Sequence, residues 1–144
     1  MKIPNKYIPR HLTRKDYIKQ KRNITNTRKL YKKKIYKNRP RVQSFKSKKS
    51  PHVENAKKMY KVKEIVPSNA LAKASKCSIK GLRRITKKGR GAYYSSGSRP
   101  NQTAQSWARA RLASALTGGP ASKYDHHILK EECKPSSKAL KMAL

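Results

Sequence analysis

Acidic residues are scarce in this sequence. Asp and Glu together number 6 against 39 Lys and Arg, which gives a net charge of +33 on 144 residues. So few acids cannot neutralise the cations, and the mutual repulsion of the cations opposes compaction until a partner relieves it. The composition therefore predicts that the partner is a polyanion or an acidic protein surface.

Long apolar runs are also missing. None approaches the roughly 20 residues that span a bilayer, and the first ten residues carry charges but no apolar segment of the secretory type. The sequence offers no amphipathic helix with a broad apolar face. We therefore predict neither a membrane span nor a secretory signal, while contact of the polycation with a membrane surface stays open.

Cysteine is limited to Cys77 and Cys133, which predicts two free thiols in a reducing compartment rather than a disulfide framework. Together with His126 and His127 they match no common zinc spacing. The few acids form no spaced catalytic pair. We therefore predict no catalytic residue, no cofactor, no metal and no small-molecule substrate, and hence a protein that is not an enzyme.

The cations are distributed unevenly, since residues 1–66 hold 23 of the 39. Hydrophobic residues make up 35% and aromatic residues 7%, too little for a core along the whole chain. We predict a mainly α protein. An extended basic N-terminal arm with short helices and linkers occupies 1–66, a small compact helical module with a Gly-rich loop occupies 67–133, and a tail occupies 134–144.

The arm carries aromatic residues among its lysines. Thr13 is placed to cap a helix reaching about Tyr36, on which Tyr17, Ile24 and Tyr31 recur every seven residues. A stripe that narrow buries little without a partner. Aromatic side chains dominate interface energies, so we predict the following partner anchors: Tyr7, Tyr17, Tyr31, Phe45 and Tyr60.

Residues 68–88 have a spacing close to that of a helix-turn-helix unit. Ser68 and Ser78 are placed to cap two helices, and Lys76 stands at the turn position that glycine usually occupies. The alternative is a plain αα-hairpin. Both the arm and the second helix offer cations for a phosphate backbone or an acidic protein. The predicted contacts are Lys32, Lys33, Lys34, Arg39, Arg41, Lys80, Arg83, Arg84, Lys87, Lys88 and Arg90.

Residues 89–119 combine glycines with a predicted helix from Ala104 to about Leu116, capped by Thr103. Gly89-Arg90-Gly91 lacks the ending of a phosphate-binding loop, so a compact turn beneath Trp107 is the preferred interpretation. The predicted structural residues of the module are Trp107, Arg99, Asp125 and Leu112, with a salt bridge between Arg99 and Asp125.

Several motifs in this part of the chain are specific. They are Cys77-Ser78-Ile79-Lys80, Gly89-Arg90-Gly91-Ala92-Tyr93-Tyr94, Ser96-Gly97-Ser98-Arg99-Pro100-Asn101-Gln102-Thr103, Ser106-Trp107-Ala108-Arg109-Ala110-Arg111 and Thr117-Gly118-Gly119. From Ser68 through Lys130 the chain resembles a small module of unknown function found in large double-stranded DNA viruses of algae and protists, with distant relatives in tailed phages. The resemblance implies a viral, virion-associated protein.

These observations lead to two functional hypotheses. The first is a minor capsid protein that cements a giant-virus particle assembled in the host cytoplasm, its arm ordered by neighbouring capsid proteins. The second is a DNA-binding protein that condenses the genome, using the helix-turn-helix-like pair and the basic arm. Composition does not separate capsid protein from genomic DNA as the partner.

Overall fold

The structure is a computed structural model that describes residues 3–46 and 51–143. A short 3-10 helix covers Asn5–Tyr7. In the described ranges the α-helices are α1 (Arg14–Lys32), α2 (Pro51–Tyr60), α3 (Asn69–Ser75), α4 (Ile79–Ser95), α5 (Ala104–Leu116), α6 (Pro120–Tyr124), α7 (His126–Glu132) and α8 (Lys138–Met142). The mainly α class is confirmed. The sequence resemblance to the viral module also includes residues 44–50, of which 47–50 lie outside the described residues.

The chain forms two compact units that are not consecutive in sequence. Unit 1 comprises Met1–Lys48 and Arg90–Trp107, and unit 2 comprises Lys49–Gly89 and Ala108–Leu144. Helices α4 and α5 each contribute to both units. The boundaries predicted at 66/67 and 133/134 follow composition along the chain, and they stay a prediction.

Local capping signals start several helices as the sequence predicts. Thr13 accepts from the backbone N–H of Asp16 at 3.2 Å, and Ser68 from that of Leu71 at 3.2 Å. Ser78 and Thr103 accept in the same way at 3.0 Å each. Because each cap satisfies an otherwise unpaired N–H of the first turn, it fixes where the helix begins.

Unit 2 has the larger apolar core. The buried residues include Leu71, Leu82, Leu112, Leu116 and Leu129. Tyr60 also lies there, with 6% of its surface exposed, and its hydroxyl donates to the Leu116 carbonyl at 2.5 Å. Burial raises the pKa of Tyr60 to about 12.

Cys77 and Cys133 form a disulfide, so the prediction of two free thiols is wrong. The two residues pair in an isolated antiparallel β-bridge. Backbone bonds flank it, from Ser78 N–H to the Glu132 carbonyl and from Lys134 N–H to the Lys76 carbonyl, each at 2.8 Å. The pairing closes a sequence separation of 56, which no local pattern indicates. The sulfurs are therefore not available as zinc ligands.

Unit 1 has a smaller apolar cluster, made by Ile8, Leu12, Ile24 and Val42. The buried residues of α1 are Asp16, Gln20, Ile24 and Thr27, so the predicted stripe matches the buried face only at Ile24. Three of these four side chains are polar. Hydropathy periodicity therefore does not reveal the inward face of α1.

The predicted Gly-rich loop is wrong, because Gly89 and Gly91 lie inside α4. A Cβ placed on Gly89 would stand 2.8 Å from the Ala108 Cα, which shows that glycine serves a close approach between α4 and α5. The helical backbone also leaves no phosphate cradle at this motif. Gly97 and Gly118 do adopt positive φ, at 130° and 72°.

Candidate nucleic-acid interface

One face of α4 in unit 2 is basic and exposed. Lys80, Arg83 and Lys87 follow one another at helical spacing, so they share this face, and all three are exposed. We call these three residues the α4 basic face. A row of cations on a rigid helix is suited to phosphate contacts, which need charge but no base-specific geometry.

The neighbouring predicted cations on α4 are engaged with unit 2 itself. Arg84 donates to Glu131 at 2.7 Å and to Glu132 at 3.3 Å. The Arg84 hydrogen bond holds the pKa of Glu131 below its usual range, and the Glu131 hydrogen bond raises the pKa of Arg84. Lys88 Nζ lies 3.2 Å from His127 Nε2. Arg84 is half-buried in its ion pairs, whereas Lys88 stays exposed although it contacts His127.

At its turn, the α3–turn–α4 segment has the backbone conformation expected of a helix-turn-helix unit. Lys76 at the turn adopts φ 58°, which is the left-handed region that glycine usually supplies. Carboxylates stand where such a unit reads DNA, however, because Ser78 Oγ donates to Glu132 at the start of α4. In helix-turn-helix proteins the first residues of the second helix contact base edges. Sequence-specific reading by this pair stays a prediction, and these acids oppose it.

A cluster of tyrosines lies in unit 1. The rings of Tyr31 and Tyr94 stack at 6.2 Å with an interplanar angle of 15°. Tyr36 lies 5.7 Å from Tyr31 and 5.3 Å from Tyr94 between ring centroids. We call Tyr31, Tyr36 and Tyr94 the tyrosine patch. The sequence predicts Tyr31 as an anchor but not Tyr94, which lies one helical turn after the exposed Arg90.

The tyrosine patch is partly exposed and flanked by cations. Tyr36 has 57% of its surface exposed, and Tyr31 and Tyr94 are half-buried. The predicted contacts Lys32, Lys33 and Lys34 are exposed in the chain segment that joins Tyr31 to Tyr36. The predicted contact Arg90 is also exposed. These four cations keep the accessibility that a polyanion contact needs.

Arg39 is a structural residue of unit 1, and its predicted role as an exposed polyanion contact is wrong. Its guanidinium donates to the Tyr93 carbonyl at 2.9 Å and to Ser98 Oγ at 2.7 Å, and it lies 3.7 Å from the Tyr93 ring centroid. Only 8% of its surface is exposed, and burial lowers its pKa. Arg41 remains exposed, with its carbonyl accepting from Lys19 at 3.1 Å.

Four of the five predicted anchors have neighbours within their own unit. Tyr7 meets Trp107 edge-on at 5.9 Å, and Phe45 stacks on His11 at 5.7 Å. Tyr31 belongs to the tyrosine patch, and Tyr60 is buried in unit 2, where the predicted role of partner anchor does not fit. Tyr17 remains 36% exposed and keeps the accessibility that an anchor requires.

Asp125 is fully buried and accepts two hydrogen bonds from Arg111, at 2.9 and 3.0 Å. The predicted pairing of Asp125 with Arg99 is therefore wrong. Arg99 is exposed. Leu112 lies fully buried in the unit 2 core, as expected of a structural residue, and Trp107 is half-buried in unit 1. The Arg111–Asp125 pair joins α5 to the start of α7.

The described part of the chain holds no group of three or more His, Cys, Asp or Glu placed to bind a metal. Among the described helices, none is long and apolar enough to cross a membrane. The candidate residues are the cations of the α4 basic face in unit 2 and the tyrosines and cations of the tyrosine patch in unit 1. Cations suit contacts with anions, and exposed aromatic rings suit contacts with other flat rings.

Comparison with known proteins adds one match. The profile of a family of unknown function, DUF5824, covers residues 4–131. No curated protein and no solved structure matches the chain. The matched range includes the basic N-terminal part as well as the segment from Ser68 onward. The chain therefore belongs to DUF5824, a family of unknown function.

Proposed function

We propose that this chain binds nucleic acid through the phosphate backbone, without reading sequence, as a component of a large DNA virus particle. The observation that carries the proposal is the exposed α4 basic face on a chain of net charge +33. Phosphate contacts fix a protein on a duplex through charge and need no base-edge geometry. The viral setting rests on the sequence resemblance, and genomic DNA is the partner that it suggests.

The distribution of acidic and basic side chains supports phosphate binding by the α4 basic face. In the described residues, carboxylates lie beside Lys57, Arg84 and Arg111. Lys80, Arg83 and Lys87 are exposed, and none of the three forms an ion pair among the described residues. Binding a polyanion there releases condensed counterions, which favours association at low salt. The proposal needs no cofactor and assigns no catalytic role.

The test is binding to a labelled 20-base-pair duplex across a salt series. Each phosphate contact contributes about −0.9 to the slope of log K against log salt. Replacing Lys80, Arg83 and Lys87 by Ala should weaken binding and reduce the slope by about 2 to 3. A matched control replaces three exposed cations elsewhere in unit 2, which are Lys123, Lys130 and Lys138.

Both triple variants lower the net charge by the same amount, so the comparison isolates position. A larger loss for the α4 variant supports the proposed face. Equal losses would show that only net charge matters and would overturn the assignment to α4. No duplex binding by the unaltered protein at low salt would overturn the proposed function itself.

We propose, as a second function, the cementing of capsid subunits. Two exposed apolar side chains favour it, because the consecutive α1 residues Tyr17 and Ile18 keep 36% and 46% of their surfaces exposed. Apolar anchors of this kind contribute most at protein interfaces. The test is stepwise disassembly of purified particles by salt and detergent, followed by mass spectrometry. Retention with the shell after genome release favours cementing, and release with the DNA contradicts it.

A further inference from the structure

The tyrosine patch has a composition that phosphate binding alone does not require. Tyr31, Tyr36 and Tyr94 contact one another through their rings at 5.3 to 6.2 Å. Tyr36 nevertheless keeps 57% of its surface exposed. An aromatic ring held against two others and still open to solvent is a preformed surface on which another flat ring can stack.

Exposed cations lie beside the tyrosine patch. Lys32, Lys33 and Lys34 are exposed in the segment that connects Tyr31 to Tyr36, and Arg90 is exposed one turn before Tyr94. The nearby Arg90 charge acts to lower the pKa of Tyr94, against a larger upward effect of burial. Rings among cations suit a ligand that alternates flat rings with negative charges.

No acid of unit 1 neutralises these cations. Asp16 is the only acidic residue in the sequence of unit 1, and its carboxylate accepts from the Ser44 backbone N–H at 2.8 Å. It lies near the start of α1, whereas Tyr31 lies near the end. At 1.5 Å per residue the two are separated by about 22 Å along the helix. The charge of the patch is therefore available to a ligand.

We propose that the tyrosine patch binds single-stranded nucleic acid by stacking an unpaired base on Tyr36 while the neighbouring cations contact phosphates. This inference rests on the proposed nucleic-acid function and names a second, strand-selective site within it. Unpaired bases present their faces to aromatic side chains, whereas the bases of a duplex are stacked on one another. An acidic peptide could satisfy the lysines but would leave the rings unused.

The test compares Tyr36→Leu with Tyr36→Phe in binding to a fluorescent oligo(dT) and to the 20-base-pair duplex. Loss of one stacked base weakens binding by about 5- to 150-fold. We expect that loss on oligo(dT) for Tyr36→Leu, retention for Tyr36→Phe, and less than about a twofold change on the duplex for both. Oligo(U) should behave as oligo(dT), because stacking does not read the sugar. The matched control is Tyr124→Leu, since Tyr124 is 76% exposed and belongs to unit 2.

The outcomes separate this inference from the function on which it rests. Duplex binding with an unchanged oligo(dT) affinity in Tyr36→Leu would overturn the tyrosine site and leave the proposed function standing. If the unaltered protein binds neither oligo(dT) nor the duplex, the tyrosine site and the proposed function are both overturned. Displacement of oligo(dT) from the unaltered protein by polyglutamate at equal charge concentration would overturn base stacking. Photocrosslinking of a 5-iododeoxyuridine oligonucleotide to Tyr36 would locate the stacked base directly.

Discussion

Each of the two units is stabilised internally by a different kind of interaction. Unit 2 buries a continuous apolar cluster of leucines, isoleucines and alanines and adds a disulfide. Unit 1 has a much smaller apolar cluster, so buried polar side chains form a larger share of its interior, among them Arg39, Gln20 and Asp16. Apolar burial is non-directional, whereas buried polar groups stabilise only when their hydrogen bonds are made.

In unit 1, side-chain hydrogen bonds hold backbone groups of a basic segment in place. The side-chain oxygen of Asn101 accepts a hydrogen bond from the Val42 N–H at 2.7 Å. Its side-chain nitrogen donates to the carbonyls of Val42 and Phe45 at 3.1 and 2.9 Å. Asn38 accepts the Ala104 N–H at 2.9 Å. These bonds hold backbone groups within 1–66, the range for which the composition predicts an extended arm with linkers. A chain with few apolar residues can thus order a basic region by satisfying backbone groups with side chains.

The largest expected effect is the loss of stability when the disulfide of unit 2 is removed. Closing a loop of this separation contributes about 4 kcal/mol in the chain-entropy description. Replacing both Cys77 and Cys133 by Ser should lower the free energy of unfolding by about that amount, measured by guanidinium titration.

Reductant supplies the control for this prediction. It should destabilise the unaltered protein to a similar extent and leave the double Ser variant unaffected. Full labelling of two thiols in the native, unreduced protein would contradict the disulfide.

The next effect concerns the buried charge of unit 2. Asp125→Asn keeps the shape but removes the charge that pairs with Arg111, and breaking a buried pair costs about 3 to 5 kcal/mol. We expect a loss of about 3 kcal/mol in urea denaturation, because Arg111 retains some solvent contact. Arg99→Ala is the control and should change stability by less than about 0.5 kcal/mol. Large losses for both Arg99→Ala and Asp125→Asn would support the Arg99–Asp125 pairing, and no loss for Asp125→Asn would contradict the Arg111–Asp125 pair.

The corresponding test in unit 1 is Arg39→Lys. Lysine keeps the charge but cannot reproduce the fork that reaches Tyr93 and Ser98, nor the stacking on the Tyr93 ring. We expect a loss of about 2 kcal/mol in thermal or chemical unfolding. Arg41→Lys changes an exposed residue in the same segment and should have an effect below about 0.5 kcal/mol. Equal effects would show that the buried geometry of Arg39 contributes no stability.

The features that the sequence predicts correctly depend on near neighbours. The caps at Thr13, Ser68, Ser78 and Thr103 each involve a hydroxyl and a backbone N–H within three residues. Such signals are visible in a short window. The span of α5 and the mainly α class follow from the same kind of information.

The features that the sequence misses depend on contacts far along the chain. Arg39 reaches Tyr93 across 54 positions, and Cys77 reaches Cys133 across 56. A lysine-rich context predicts exposure for Arg39, and only the tertiary fold shows that it is buried. Gly89 misleads for a related reason, because its missing side chain serves the approach of Ala108 rather than a turn. The sequence predicts only part of the tyrosine patch, because Tyr31 and its lysines are close together in the chain whereas Tyr94 is distant from them.

The smallest expected effect is a pH dependence of stability that arises from a buried tyrosine of unit 2. In unit 2 the neutral Tyr60 hydroxyl is buried and bonded to the Leu116 carbonyl, and its pKa is raised from 10.0 to about 12. A raised pKa means that its contribution is fully present below pH 10 and is lost as the pH rises towards 12. Between pH 8 and pH 11 the unaltered protein should lose about 1.4 kcal/mol more stability than Tyr60→Phe, which has no hydroxyl to ionise. Guanidinium titrations of both proteins at the two pH values measure the difference, and the deprotonation of lysines cancels because both contain the same lysines. Parallel losses would show that Tyr60 ionises without a burial penalty, which would contradict its place in the core of unit 2.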